Sequence, residues 1–367
     1  MGLDQLNWMQ RYAAEEIIEH EREGRLTRRE MFRQVVAICG SASVATALLA
    51  ACASDSSTTS TTTANAPTTT ANAPSTSASA SASSSTTAGG ATTAAATTAT
   101  ASATTVGQPP TSAGAAPGST AAGPVPPTSA DGGARLSVKA DDPAVKGEDV
   151  TFPGAAGTML GYLARPSASG SRPGIIVIHE IFGLSDHIRD VARRLAKVGY
   201  VAVAPDLASR AGGTAKAVNV GAALTQGSVA DRVADLDAGL ANLEAQSDYN
   251  GKLGVVGFCF GGGMTLSYAA AQPKVLAATP YYGPTPQPAS AMSATKAAIL
   301  AHYGANDARV NAGIPALEEA LAGKTFEKKI YDGAGHAFNN DTGGAYNEQA
   351  ALAAWTATLA WFARYLV

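Results

Sequence analysis

Leu253-Gly254-Val255-Val256-Gly257-Phe258-Cys259-Phe260-Gly261-Gly262-Gly263 decides the fold. Four apolar or small residues read as a strand buried on both faces, and the glycine- and alanine-rich run from Gly261 to Ala271 reads as a helix. Between them lies a turn too tight for ordinary side chains, with glycines two before and two after a single thiol. That strand–turn–helix context projects a nucleophile at strained dihedrals while the glycines let strand and helix approach. The competing reading of Cys259 is a small buried hydrophobe beside a glycine-rich turn.

Working outward, apolar runs and amphipathic runs alternate. Gly174–Ile178, Tyr200–Ala204, Val275–Tyr281, Ala298–Tyr303 and Phe326–Tyr331 read as further strands. Ile188, Val191, Ala192, Leu195 and Val198 recur at helical spacing behind the Ser185-Asp186 cap signal, and Val233, Leu236, Leu240 and Leu243 do the same. Further helices are expected at about 313–322 and 346–366, and an antiparallel edge hairpin over Thr151–Arg165. Short connections and right-handed crossovers make this an α/β protein, a doubly wound, mostly parallel sheet with helices on both faces.

Such sheets gather chemistry beyond the carboxyl ends of their strands. Asp307 follows the strand ending at Tyr303, and His336 follows the last strand. The order nucleophile, acid, histidine is that of the α/β-hydrolases. A thiol with an ordinary pKa of about 8.5 needs a base within reach, so His336 would take the proton of Cys259 while Asp307 fixes the imidazole's orientation. The backbone N–H of Phe260, at a helix N-terminus, is an expected oxyanion donor.

His179-Glu180-Ile181-Phe182-Gly183, Ala204-Pro205-Asp206-Leu207, Gly257-Phe258-Cys259-Phe260-Gly261-Gly262, Tyr281-Tyr282-Gly283 and Gly333-Ala334-Gly335-His336-Ala337-Phe338 together resemble the dienelactone hydrolase family over about residues 145–367. The resemblance implies an α/β-hydrolase with the triad Cys259, Asp307 and His336, acting through a thioester on a small carboxylic ester or lactone, with no cofactor. It implies that Glu180 contacts the resting thiol and swings away when substrate binds, and that Ile181 N–H is a second oxyanion donor beside Phe260. The competing reading of Glu180 is a structural carboxylate bonded to loop amides. The family's two substrate-holding arginines match only in part: Arg210 takes the first place, whereas Asn340 stands where the second is expected. Tyr282 reads either as pocket lining or as core.

The rest of the chain is organised around this domain. Residues 53–130 are almost entirely Ala, Ser, Thr, Pro and Gly, with Asp55 the only charge and no aromatic, a composition that cannot bury a core and reads as a disordered linker. The hydrolase-like domain is expected over 131–367. Residues 1–52 read as an export signal, with an amphipathic stretch (Leu6, Met9, Tyr12, Ala13, Ile17), then Thr27-Arg28-Arg29-Glu30-Met31-Phe32, which resembles a twin-arginine motif. The apolar run 35–51 then ends in Leu49-Ala50-Ala51-Cys52, which resembles a lipobox with Cys52 as the lipidation site. The expected protein is a monomer, lipid-anchored at the outer face of a bacterial cytoplasmic membrane; without processing it would be cytoplasmic or membrane-inserted. A net charge of −3 spread evenly over the segments excludes a nucleic-acid footprint. Cys39, Cys52 and Cys259 occupy unlike settings and make no disulfide framework, and His179, His187 and His302 lack metal-ligand spacing, so no metal is expected. The other readings carried forward are a broad esterase or thioesterase, and a non-catalytic surface module that keeps the fold.

Overall fold

A computed structural model describes residues 6–55 and 136–367. The expected linker thus lies outside the described residues, apart from 53–55. From residue 136 onward the chain forms eight strands, β1 (Val145–Gly154), β2 (Gly157–Pro166), β3 (Arg172–Ile178), β4 (Val201–Pro205), β5 (Tyr249–Phe258), β6 (Val275–Tyr281), β7 (Ala298–Gly304) and β8 (Phe326–Tyr331). They make one sheet in the order β1-β2-β4-β3-β5-β6-β7-β8. The hairpin β1–β2 and the β2–β4 pairing are antiparallel, and every pairing from β4 to β8 is parallel. This is the expected doubly wound sheet, with the edge hairpin longer than the sequence signal implied.

Burial explains why the central strands are continuous apolar runs. Ile175, Ile176, Val177 and Ile178 of β3 are all fully buried. A side chain of this kind contributes about 1.5–3 kcal/mol when removed from water. Flanking the sheet are α4 (Asp186–Lys197), α6 (Val229–Glu244), α7 (Phe260–Ala271) and α10 (Glu348–Tyr365), with the short helices α5 (Val220–Thr225), α8 (Ala308–Asn311) and α9 (Ile314–Ala320) in the connections. Helix α4 turns Ile188, Val191, Ala192 and Leu195 inward, the stripe that its sequence period predicts.

Chain order reverses between β3 and β5, because β4 returns to one side of β3 while β5 goes to the other. Ligands bind at such a switch point, outside the carboxyl ends of the strands. Ile178 pairs with Gly257 in the β3–β5 ladder, so Glu180 and Cys259 emerge at neighbouring strand ends. Phe258 pairs with Tyr281, Tyr281 with His302, and Gly304 with Tyr331, which brings the loops carrying Tyr282, Asp307 and His336 to the same edge.

The first segment, within the described residues 6–55, is helical. It forms α1 (Trp8–Arg22), α2 (Arg28–Cys39) and α3 (Ala42–Asp55), and these belong to the same compact body as the sheet. The apolar stretch 35–51 is interrupted at Gly40, whose φ of 70° is left-handed and ends α2. Helices α2 and α3 consequently meet at 116°, and among the described residues no single helix is long and apolar enough to cross a membrane. Thr27 and Glu30, within the twin-arginine-like stretch, form a capping box that starts α2. Helix α1 buries Met9, Tyr12, Ala13 and Ile17, the amphipathic face visible in the sequence.

Candidate active site

Cys259 sits between β5 and α7 with φ 56° and ψ −120°, a backbone state that L-residues rarely adopt. The glycine spacing is what allows it. A Cβ on Gly257 would lie 2.2 Å from the Gly261 carbonyl oxygen, and one on Gly261 would lie 2.3 Å from the Ile178 carbonyl oxygen. The thiol is buried, and burial, followed by the charge of Glu16, pushes its pKa up while His336 opposes that rise.

His336, in the loop after β8, has Nδ1 2.5 Å from Asp307 Oδ2. Asp307 follows β7 and caps α8, its Oδ1 accepting from Val310 N–H at 3.2 Å. The other side of the imidazole faces the N-terminal helix: Nε2 is 3.4 Å from Glu16 Oε2 and 3.4 Å from the Tyr12 hydroxyl. Burial alone would lower the pKa of His336, but the carboxylates of Glu16 and Asp307 outweigh it and hold the imidazolium well above its usual range. The ligating atoms of Glu16, Cys259 and His336 all lie within 4.8 Å of one another.

Glu180 is buried and accepts a hydrogen bond from Asn340 Nδ2 at 2.9 Å. The hydrogen bond at the thiol comes instead from Tyr12, whose hydroxyl donates to Cys259 Sγ at 3.3 Å. Asn340, which replaces the second arginine expected from the resemblance, is therefore the partner of Glu180. His179 fixes the loop carrying Glu180 and Ile181: its Nδ1 is 2.7 Å from the Glu180 carbonyl oxygen, and its Nε2 accepts from Leu207 N–H at 3.0 Å. Burial lowers the pKa of His179, as suits a neutral ring that donates on one side and accepts on the other. Phe260 is the first residue of α7, so its N–H belongs to the set a helix leaves without an internal partner, and Ile181 is in the turn beyond β3.

Tyr282 is fully buried with φ 38°, and its ring meets that of His336 edge-on at 5.0 Å between centroids. Its hydroxyl is buried without a hydrogen-bond partner, and burial, then the nearby charges of Glu180 and Cys259, push its pKa well up. The two readings of this residue thus merge: the ring is core and the hydroxyl is an unused polar group close to the thiol. Arg210 is elsewhere. Its guanidinium donates to Asp235 at 2.9 and 3.0 Å and approaches Asp231 at 3.5 Å, so its charge is already matched, and it does not line the cavity at Cys259. His302 is 2.9 Å from the Tyr331 hydroxyl and 3.0 Å from Thr358 Oγ1, and burial drops its pKa to about 3, the expected core role. His187 pairs with Asp341 at 3.2 Å.

Tyr12, Glu16 and Arg309 were missed as site residues by the sequence reading. Arg309 binds Glu16 through Nη2 and lies 4.6 Å over the Tyr12 ring. The available signal was the helical recurrence of Met9, Tyr12, Ala13 and Ile17, which marked a buried face without naming what it covers. A cavity of about 110 Å³ remains beside the thiol, lined by Glu16, His20, Glu180, Cys259, His336 and Asn340 among others.

The profile described as "Dienelactone hydrolase family" matches residues 159–366, more than half of the chain. The chain belongs to the dienelactone hydrolase family. It is 34% identical over 249 residues to a Methylorubrum extorquens protein named "Putative carboxymethylenebutenolidase", covering 63% of this chain and 86% of that one. An Escherichia coli K12 protein of the same name is 35% identical over 251 residues, covering 63% and 92%. Among solved structures, one titled "Putative Dienelactone Hydrolase" from Klebsiella pneumoniae is 35% identical, with a TM-score of 0.56 over 60% of this chain and 100% of that one. A dienelactone hydrolase-like promiscuous phosphotriesterase from metagenomic libraries is 28% identical, with a TM-score of 0.55 over 61% and 100%. The protein is thus a hydrolase of this family, carrying its α/β-hydrolase fold.

Proposed function

We propose that this enzyme cleaves a small carboxylic ester or lactone through a cysteine triad and a thioester intermediate. The observation that carries the reading is the left-handed Cys259 at a strand–helix turn, beside a His336 that Asp307 orients. His336 takes the thiol proton, and Cys259 Sγ bonds to the acyl carbon. The oxyanion so formed accepts hydrogen bonds from the N–H groups of Ile181 and Phe260. Collapse breaks the C–O bond, and His336 returns its proton to the leaving alkoxide. A water then loses a proton to His336 and adds to the thioester; the carboxylic acid leaves and the thiol is restored. Asp307 holds the imidazole throughout. Glu180, held here by Asn340, swings away from the thiol when substrate binds, and withdrawal of its negative charge helps to generate the thiolate, while the Tyr282 hydroxyl gains in the substrate the partner it lacks.

The export reading belongs to the same proposal. The Arg28-Arg29 pair and the Leu49-Ala50-Ala51-Cys52 sequence support twin-arginine export and lipidation at Cys52, which would hold a monomeric enzyme outside a bacterial cytoplasmic membrane. Loss of a diacylglyceryl mass from the Cys52→Ser protein expressed in its native cell checks it.

Acid release from activated esters and a dienelactone, with and without iodoacetamide, tests the chemistry. Turnover should be abolished by Cys259→Ala and by alkylation, and an acyl adduct should be trapped on Cys259 by mass spectrometry. Full activity in Cys259→Ala would remove the mechanism.

A further inference from the structure

Helix α1 reaches the two groups on which the chemistry depends. The Tyr12 hydroxyl is spent on the Cys259 thiol, and the Glu16 carboxylate lies against His336 and Arg309. An imidazolium held beside Glu16 is protonated already and cannot accept the thiol proton, and the negative charge of Glu16 further opposes a thiolate. Burial would raise the pKa of Glu16, but the charges of His336 and Arg309 hold it well below the carboxylate range, so the occupant is an anion. Space agrees with charge. The cavity of about 110 Å³ left at the thiol is well short of the roughly 300–1,000 Å³ of ordinary ligand pockets.

The same donors could suggest a metal site, since Glu16, Cys259 and His336 are clustered. The Arg309 guanidinium sits on the Glu16 oxygen that faces His336, so a cation placed there would meet a fixed like charge. A carboxylate held by an arginine and an imidazolium instead has the chemistry of a bound acid. That is also the form in which a hydrolysed acyl group would leave.

We infer that α1 is a built-in occupant of the catalytic pocket: Glu16 stands in for an acid bound by Arg309 and His336, Tyr12 takes up the thiol, and substrate enters only when α1 shifts. Arg309 is then the half-buried cation that the vacated pocket offers to an anionic group of its ligand. Lipobox processing, in which the chain is cut before Cys52 so that the lipidated cysteine becomes the first residue, would detach the occupant from the hydrolase body. The inference rests on the proposed function only in taking Cys259 as the nucleophile, and its test does not require turnover.

The test uses the full chain and the near-isosteric pair Tyr12→Phe with Glu16→Gln, which removes the contacts without opening a large cavity; far-UV circular dichroism checks the fold. Labelling of Cys259 by iodoacetamide at neutral pH is followed by peptide mass spectrometry, with Cys39 as an internal control. A latch that leaves about one chain in a hundred open slows labelling in proportion, so its loss should speed labelling at least about tenfold. Ester turnover should rise with it. Should the isosteric pair fail to fold, Arg309→Lys, which keeps the charge and loses the planar fork, is the second variant and should also speed labelling. Unchanged or slower labelling in a folded variant would overturn the inference, as would faster labelling with lost turnover, which would make Tyr12 and Glu16 helpers of the reaction. Faster labelling with no hydrolysis by any chain, wild type included, would keep the occupant and discard the ester-hydrolase reading.

Discussion

Gly261→Ala strikes the point where strand β3, the turn at Cys259 and helix α7 come closest. The added Cβ would meet the Ile178 carbonyl oxygen at 2.3 Å, the His179 carbonyl oxygen at 2.5 Å and the Ile178 carbonyl carbon at 2.7 Å. All three are backbone atoms, so no side chain can rotate away. Relief requires the end of β3 and the start of α7 to separate by several tenths of an ångström, and overpacking of this kind costs about 1–3 kcal/mol. At a urea m-value of about 3 kcal/mol/M, the midpoint should fall by about 0.3–1 M with m unchanged. The two elements forced apart carry Ile181 and Phe260, the proposed oxyanion donors, and a displacement approaching 1 Å at reacting groups costs about 100-fold in rate. Urea unfolding followed by circular dichroism and kcat on an activated ester measure the two effects separately. A native midpoint together with native kcat would refute the claim that this glycine sets the approach of the two donor-bearing elements. A lowered midpoint with native kcat would refute the placement of the donors alone.

Two further outcomes follow from the charges. Arg210→Gln should leave kcat and KM for anionic and neutral esters unchanged, because Asp235 and Asp231 already hold the guanidinium; a rise in KM confined to anionic esters would return Arg210 to the pocket. Glu16→Gln should lower the pKa of His336, read by NMR of labelled histidine, and reduce stability by about 3 kcal/mol, as removal of one partner from a buried pair does. The folded pKa of Glu16 is depressed, so its contribution is complete above the unfolded value near 4.5 and is lost as pH falls. That of His336 is raised, so its contribution is complete below about 6.5 and is lost as pH rises through the folded value. The stability gap between wild type and variant should therefore shrink towards both acid and alkaline pH, and a pH-independent gap would contradict the pairing.

The α/β alternation was legible because each strand buried on both faces must be a continuous apolar run and each flanking helix must carry a stripe. Ile175–Ile178 and Ile188, Val191 and Leu195 are such signals. Cys259 was legible because its turn tolerates glycine alone at positions 257 and 261. Asp307 and His336 were legible because they follow strands whose carboxyl ends must converge at one edge.

What the sequence by itself determined is whatever a short window encodes: period, capping, the glycine spacing of a tight turn, and the order of groups at successive strand ends. Tertiary structure alone decided what lies opposite those groups. Tyr12 meets Cys259 across 247 residues of chain and His336 across 324, and Glu16 meets Arg309 across 293. The amphipathic period of α1 required burial of one face, yet no local pattern specifies the surface that buries it. Likewise Arg210 reads as a free cation until Asp235 is found beside it, and Asn340 as a missing arginine until it is found holding Glu180. Side-chain charge is local, but its pairing depends on three-dimensional distance, and the fold sets that distance.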